Sequence, residues 1–472
     1  MSGDPATLVL RGCDALVRPG DLRRDVDIAI SGNRIATIEP TGAPLPAGAE
    51  VIDARRLLAL PGLVNAHTHS PETCLRGSGE GLPLEPWLAR MFGTAGVFDE
   101  DDHRACALAG ALEMLLTGAT SVVDHVWMTP PSAAGVDAVL GAYAEIGIRA
   151  AVAPLVFDAD STAELADALG VDVGGALLTD VGVLPVAELL AQLEDLVTRW
   201  NGAAGGRLQV FAGPCGPQWC SDELLTGLAE AAGRHGIGVH IHVLESPLQI
   251  HVCRLRFEDG PIGALDRIGL LGPNCSLAHG VWLDPEDVEL IADRGAVVVH
   301  NPSANFRLGS GRAPIPELLG AGAKVALGAD GSASSDNQVL WTQLKLAALI
   351  HNDGVLDRWV SGADALRMAT EGGAAALGLS GRLGALEPGF LADVVVVDLL
   401  GDGLAGAQSL EAGLALSETG RAVRHVVVDG QVVLREGRCT TVDEKALVAE
   451  IESLLPRLDE DLAAVRAKAA RY

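Results

Sequence analysis

A chain of 472 residues, 49% of them hydrophobic, can bury a sizeable core and is long enough for one large barrel with an accessory domain, or for two domains. Its formal net charge of −28 argues against nucleic acid and anionic membranes as partners, because both need basic patches. The eight cysteines are dispersed without a C-x-x-C pair, no apolar run reaches the length of a membrane span, and MSGDPATLVL lacks the features of a signal peptide, so a reduced, cytoplasmic protein is expected.

In chain order, residues 7–17 and 25–38 alternate around the turn signals Pro19-Gly20 and Ser31-Gly32-Asn33, as hairpin strands do. Eight short apolar runs follow, at 63–69, 120–125, 149–156, 208–215, 238–244, 275–281, 296–300 and 324–330. Helical patterns lie between them, for instance at 102–116, 185–200, 222–235 and 285–294. Eight β/α units over roughly 300 residues match a TIM barrel, whose strands read as buried parallel runs. A doubly wound sheet is the rival architecture. It leaves unexplained why His67, His69, His125, His240, His242, His279, His300 and Asp330 all fall at or near the C-terminal ends of these runs, where barrel active sites lie. Val-rich segments return at 392–399 and 422–434, around the Asp429-Gly430 turn, so the two chain ends should share one β domain. The expected α/β organisation is a (β/α)8 TIM barrel over 59–377, a small β-sandwich domain built from 1–58 and 378–441, and a C-terminal helix over 442–472.

In Asn65-Ala66-His67-Thr68-His69 the histidines are two residues apart on a strand, so both imidazoles face one side. Alone, such a pair could be two polar residues at a strand end; closing the first barrel strand, it points into the mouth. His240 and His242 share a face in the same way. His242 stands nearer the mouth, with Glu245 just beyond, and is the expected ligand, leaving His240 as a packed or hydrogen-bonded residue behind it. Asp330 ends the eighth strand, beside the first on closure; alone it could cap a helix, but it is the fourth member of a converging set. Three histidines and one aspartate suit one divalent metal ion, Zn²⁺ ahead of Fe²⁺, with a position left for a water whose pKa the cation lowers towards 7.

With these motifs in place the sequence resembles the amidohydrolase superfamily, in its cytosine-deaminase-like branch of mononuclear aminohydrolases. The resemblance runs through Pro61-Gly62-Leu63-Val64-Asn65-Ala66-His67-Thr68-His69, His242-Val243-Leu244-Glu245, Leu277-Ala278-His279-Gly280, His300-Asn301-Pro302-Ser303, Gly328-Ala329-Asp330-Gly331-Ser332-Ala333-Ser334 and Glu387-Pro388-Gly389-Phe390-Leu391-Ala392-Asp393. It implies a hydrolytic deaminase in which hydroxide on the metal attacks a ring carbon bearing an amino group, and ammonia leaves. Glu245 would shuttle a proton to the ring nitrogen and leaving group. Asp330 would bind metal and accept the water's proton, and His279 would orient the nucleophile or polarise the developing oxyanion. The bland alternatives are a solvated carboxylate for Glu245 and a structural histidine for His279.

Three groups are most similar: methylthioadenosine/S-adenosylhomocysteine deaminases, guanine-type oxopurine deaminases and triazine hydrolases. The segment from Leu75-Arg76-Gly77 to Glu85-Pro86-Trp87-Leu88 resembles the first. Yet that group's acidic ribose contact falls near Gly96, its two arginines near Pro154 and Leu189, and its strand-four histidine at Cys215, which argues against a nucleoside with a charged tail. Gly213-Pro214-Cys215-Gly216, Asp124-His125 and Leu366-Arg367-Met368-Ala369-Thr370 lean towards the triazine and oxopurine groups. The expected substrate is therefore a compact amino-substituted N-heterocycle. Trp87, His125, Trp127, Cys215, Gln218 and His300 are candidate lining residues, although packing alone could explain the tryptophans and the cysteine. The rivals are displacement of chloride or alkylamine from a triazine-like ring, a nucleoside deaminase, and a scaffold without catalysis. A further copy of the chain is the remaining partner expected.

Overall fold

The computed structural model describes residues 7–469 apart from 96, 160–182, 401–403 and 405. Five strands open the chain: β1 (Leu8–Arg18), β2 (Asp21–Ser31), β3 (Arg34–Pro40), β4 (Glu50–Asp53) and β5 (Leu57–Pro61). The barrel strands are β6 (Leu63–Thr68), β7 (Ala119–Val126), β8 (Arg149–Val156), β9 (Leu208–Val210) with β10 (Gly213–Pro214), β11 (Val239–Val243), β12 (Cys275–His279), β13 (Val297–His300) and β14 (Lys324–Leu327). Then come β15 (Val394–Asp398), β16 (Val423–Val428), β17 (Gln431–Arg435) and β18 (Arg438–Cys439).

The strands at the two ends share one nine-stranded sheet, ordered β18-β17-β16-β15-β5-β1-β2-β3, with β4 paired to β1. Antiparallel pairing of β5 with β15, Leu60 opposite Val395, joins the two ends of the chain. The unbroken valine run of β15 is explained by burial on both faces. Val394 and Val396 pack with Leu10, Ile28 and Ile30 inside the sheet's own core, whereas Val395 and Val397 join Leu58 and Leu60 against the barrel core. The free edge curls back, with Ile35 N–H donating to Phe390 O (2.9 Å) and Ala392 N–H to Asn33 O (2.9 Å). The small β domain expected from the two chain ends is this sheet, whose neighbouring strands stay hydrogen-bonded along its path.

All barrel strands pair in parallel, from β6 round to β14. His240 N–H to Ala212 O (2.9 Å) joins the fourth strand to the fifth, and Asp330 N–H to His67 O (2.9 Å) closes the eighth on the first. Closure requires Gly328: a Cβ there would lie 2.3 Å from Asn301 Oδ1 and 2.7 Å from His67 Cβ. Below the barrel, the buried Arg149 guanidinium grips Asp393 through Nε and Nη2 (both 2.9 Å) and also reaches Asp429 (2.9 Å), locking strand β8 to the folded sheet. The C-terminal helix Glu444–Ala469 packs along helix Glu100–Leu116, where Arg457 pairs with Asp102.

Candidate active site

The strand order brings His67 and His69 from β6, His242 from β11 and the residue after β14, Asp330, to the C-terminal mouth. Each is less than a tenth exposed. His69 Nδ1 lies 2.6 Å from His125 O and His242 Nδ1 lies 2.7 Å from Cys215 O. A carbonyl only accepts, so both Nδ1 atoms carry a proton, which in a neutral ring leaves Nε2 as a bare lone pair. These two lone pairs face each other at 3.3 Å. His67 Nε2 has no hydrogen-bond partner and lies 3.4 Å from Asp330 Oδ1, which is 3.5 Å from His69 Nε2. Ligands about 2.05 Å from a tetrahedral zinc ion would be separated by about 3.3 Å. The three contacts match that spacing, and a cation between them removes the repulsion of the facing lone pairs. Burial and the neighbouring imidazoles hold His67 and His242 far below the usual histidine range, keeping both neutral as ligands must be.

A second grouping, His67, His125 and His240, is different. His67 Nδ1 and His240 Nε2 are 2.7 Å apart, a hydrogen-bond distance too short for two ligands of one ion. His240 therefore sits behind His67, as the sequence suggested.

The loops that carry these groups are held in unusual backbone conformations. Leu244, His279 and Asp330, at the ends of strands five, six and eight, have φ of 46°, 74° and 67°. Side chains rarely adopt this left-handed region, and such residues concentrate at functional sites. At Asp330 it is maintained by Gly331 N–H donating to Oδ1 (2.7 Å) and by Gln338 and Thr68 donating to its carbonyl.

Glu245 is buried, and burial followed by the charge of Asp330 pushes its carboxyl well above the ordinary range. It lies 3.6 Å from His279. His279 donates from Nδ1 to Asn305 Oδ1 (2.9 Å), leaving its Nε2 facing Asp330 Oδ2 at 4.0 Å.

His69, His242, His279, Glu245 and Asp330 form the floor of a cleft of about 530 Å³, a size suited to a small molecule. Its walls include Trp87, Trp127, Cys215, Trp219, Met91 and Leu308. Three candidate lining residues, Trp87, Trp127 and Cys215, are thus in place. The other three are not. His125 lies beneath, its ring stacked under His242 (centroids 4.7 Å apart) and its Nε2 donating to Gly213 O, so it contributes a carbonyl to His69 and no wall to the cleft. Gln218 turns towards Cys253, and the short helix Pro217–Trp219 presents Trp219 instead. His300 is fully buried and pairs with His351 (3.2 Å).

The sequence reading missed Glu72. Its carboxylate accepts Trp127 Nε1–H (3.2 Å) and Ala333 N–H (3.1 Å), and burial raises its pKa to about 7. Gly331 makes room for it, since a Cβ there would fall 1.9 Å from Glu72 Oε2. Its position three residues after His69 was the only signal. Of the nucleoside-contact positions, Gly96 lies outside the described residues, and Pro154 and Leu189 line a separate apolar cavity of about 440 Å³.

A barrel of this kind with a histidine–aspartate cage at its mouth defines a class, and the amidohydrolase family profile matches residues 58–433. The chain belongs to the amidohydrolase family, as a metal-dependent hydrolase acting on carbon–nitrogen bonds other than peptide bonds. It is 34% identical over 441 residues to a 5-methylthioadenosine/S-adenosylhomocysteine deaminase of Desulforudis audaxviator, covering 92% of this chain and 95% of that one. A 5′-deoxyadenosine deaminase of Methanosarcina mazei is also 34% identical, over 86% of this chain and 88% of its own. Among solved structures, the zinc complex of atrazine chlorohydrolase TrzN from Arthrobacter aurescens superimposes with a TM-score of 0.86 at 29% identity, covering 95% of this chain and all of that one.

Proposed function

We propose that the chain hydrolytically deaminates a compact, uncharged, amino-substituted N-heterocycle, using one zinc ion held by His67, His69, His242 and Asp330. The observation that carries this reading is the meeting, in one aromatic-walled cleft, of that cage with the buried carboxyl group of Glu245, whose pKa burial raises. A divalent ion in the cage supplies Lewis acidity that makes water a nucleophile at neutral pH. Glu245 gives its proton to the ring nitrogen as the amino-bearing carbon becomes tetrahedral. As a carboxylate it then takes the proton of the added hydroxyl and passes it to the departing amine, which leaves as ammonia. The proton lost by the attacking water, held at Asp330 or His279, returns to Glu245 to complete the cycle. His279, with its Nδ1 proton committed to Asn305, turns a bare Nε2 towards the cage and orients the attacking water by accepting one of its hydrogens.

The charges of the cleft support an uncharged substrate. Among its described lining residues the ionisable carboxyls are Glu72, Glu245 and Asp330, and no lysine or arginine is present. A phosphate or carboxylate on the substrate would find no counter-charge, and the zwitterionic tail of S-adenosylhomocysteine no anchor for its carboxylate. Trp87, Trp127 and Trp219 offer flat apolar surfaces to a ring. The likeness to the chlorohydrolase supports a second reading, displacement of another leaving group from a triazine-like ring. Eight unpaired cysteines support a reducing compartment such as the cytoplasm.

The test is a screen of the zinc-loaded protein against aminopurines, aminopyrimidines, pterins and aminotriazines, measuring ammonia and chloride together with metal content. Ammonia released from a neutral heterocycle is the expected result. Chloride alone would favour the second reading, and a metal-replete protein inert on all of them would defeat both.

A further inference from the structure

We infer that His240 is a positioning residue that sets the tautomer of His67 through a buried chain of hydrogen bonds. The inference rests on the metal reading above. Of the three expected histidine ligands, His69 and His242 have their protons fixed by backbone carbonyls, which no side-chain substitution removes. His67 is the exception, because its Nδ1 meets another imidazole, His240 Nε2, at 2.7 Å. Two neutral rings at that distance share one proton, and the pair alone does not say which ring holds it.

The direction we infer comes from one residue further on, where Ser276 has a carbonyl to donate to. His240 Nδ1 lies 2.6 Å from Ser276 Oγ, and that hydroxyl donates its single proton to Val239 O at 3.2 Å. With the Ser276 proton committed, its oxygen accepts from His240 Nδ1–H. His240 then has a bare Nε2, which accepts from His67 Nδ1–H, and the last lone pair of the chain emerges on His67 Nε2. That atom faces the cage and has no hydrogen-bond partner in the protein. The opposite polarity would place a proton on His67 Nε2, pointing towards Asp330 Oδ1 at 3.4 Å, and would abolish its capacity to bind a cation. His67, His240 and Ser276 are fully buried, so water does not short-circuit the chain. The same-face pair His240 and His242 on β11 thus has divided duties: the outer ring faces the cage and the inner ring prepares a ligand that comes from β6.

Two substitutions of similar polarity separate this role from packing. His240→Gln keeps an acceptor near the Nε2 position, whereas His240→Asn keeps a donor near Nδ1 for Ser276 but is too short to reach His67. Zinc affinity of the full chain is measured by competition with a chromogenic chelator, and the His67 ring tautomer by ¹⁵N NMR of the metal-free protein. Removing such an outer partner of a ligand weakens metal binding by about 10–100-fold. The Asn variant is expected to lose affinity in that range and to populate His67 with its proton on Nε2. The Gln variant should stay within a few-fold of the unmutated chain with the proton on Nδ1. Unmutated affinity in a folded Asn variant, or equal losses in both folded variants, would overturn the proposal. Failure of the unmutated chain to bind zinc would instead strike the metal reading, and it would be seen before any substitution is made.

Discussion

The barrel has a buried polar cluster at each end, and they are built on opposite terms. At the lower end Arg149 meets two carboxylates, Asp393 and Asp429, with Ser121 and the Asp429 N–H also donating to Asp393. Donors and acceptors there are matched, and the protein satisfies itself. At the mouth, lone pairs face lone pairs: His69 against His242, an orphaned His67 Nε2, and three carboxyl groups without a positive side chain among them. Buried polar groups normally find partners within the protein. Groups left without partners, with displaced protonation equilibria, are what a ligand-binding site presents. The lower cluster is satisfied within the protein, whereas the upper one, though its rings are anchored from behind, turns unsatisfied lone pairs towards the cleft.

The largest contrast is expected in activity. Glu245→Gln should retain zinc yet lose turnover by about 10²–10⁴-fold, the contribution of general acid–base catalysis; near-normal turnover would remove the proton role. At the other end Arg149→Met should leave Asp393 buried without its partner and destabilise the fold by about 3–5 kcal/mol, read by denaturant titration, with the zinc affinity of the folded fraction unchanged. Chelating the metal should do what no salt-bridge loss does, lowering the melting temperature reversibly. At free zinc about 1,000-fold above Kd the stabilisation is about 4 kcal/mol. An unchanged melting temperature would mean that the facing histidines need no cation.

The smallest effect is expected at a group belonging to neither cluster. His103 is buried beside the Phe98 ring, with Asp99, Glu100 and Asp102 nearby, and burial lowers its pKa to about 4 despite those carboxylates. Its folded value lies below the unfolded value of 6.5, so its contribution is complete above pH 6.5 and is lost as pH falls towards 4. His103→Leu should flatten the stability profile in that window by about 1–3 kcal/mol. An unchanged slope would show that His103 is not the group responsible.

Much of this was legible in the residues. The barrel strands are buried on both faces and read as continuous apolar runs, and the histidines punctuating their C-terminal ends betray the mouth. The H-x-H pairs carry their own geometry, because a strand repeats every two residues. The walls of the cleft were harder. Trp219 and Glu72 reach it from short helical turns after strand ends, where a shift of one residue redirects the side chain. Gln218 and Trp219 are adjacent, and the turn presents only the second. His300 ends a barrel strand as the candidate ligands do, but its placement depends on His351, a partner that no local pattern announces. The positive φ angles at Leu244, His279 and Asp330 were equally hidden, since none is a glycine.

The pairing of β5 with β15 has a consequence for how the protein is made. Leu60 leaves the ribosome roughly 330 residues before its partner Val395, an interval of roughly 20–60 s at ordinary elongation rates. Throughout that interval β5 offers an unsatisfied strand edge, and Arg149 emerges well before Asp393 can neutralise it. The nascent barrel cannot seal its lower end until the last sixth or so of the chain has been threaded into place. Premature termination before β15 would therefore yield a molecule with the candidate metal ligands in its sequence but without the strands that close its lower end, a ready client for chaperones and proteases.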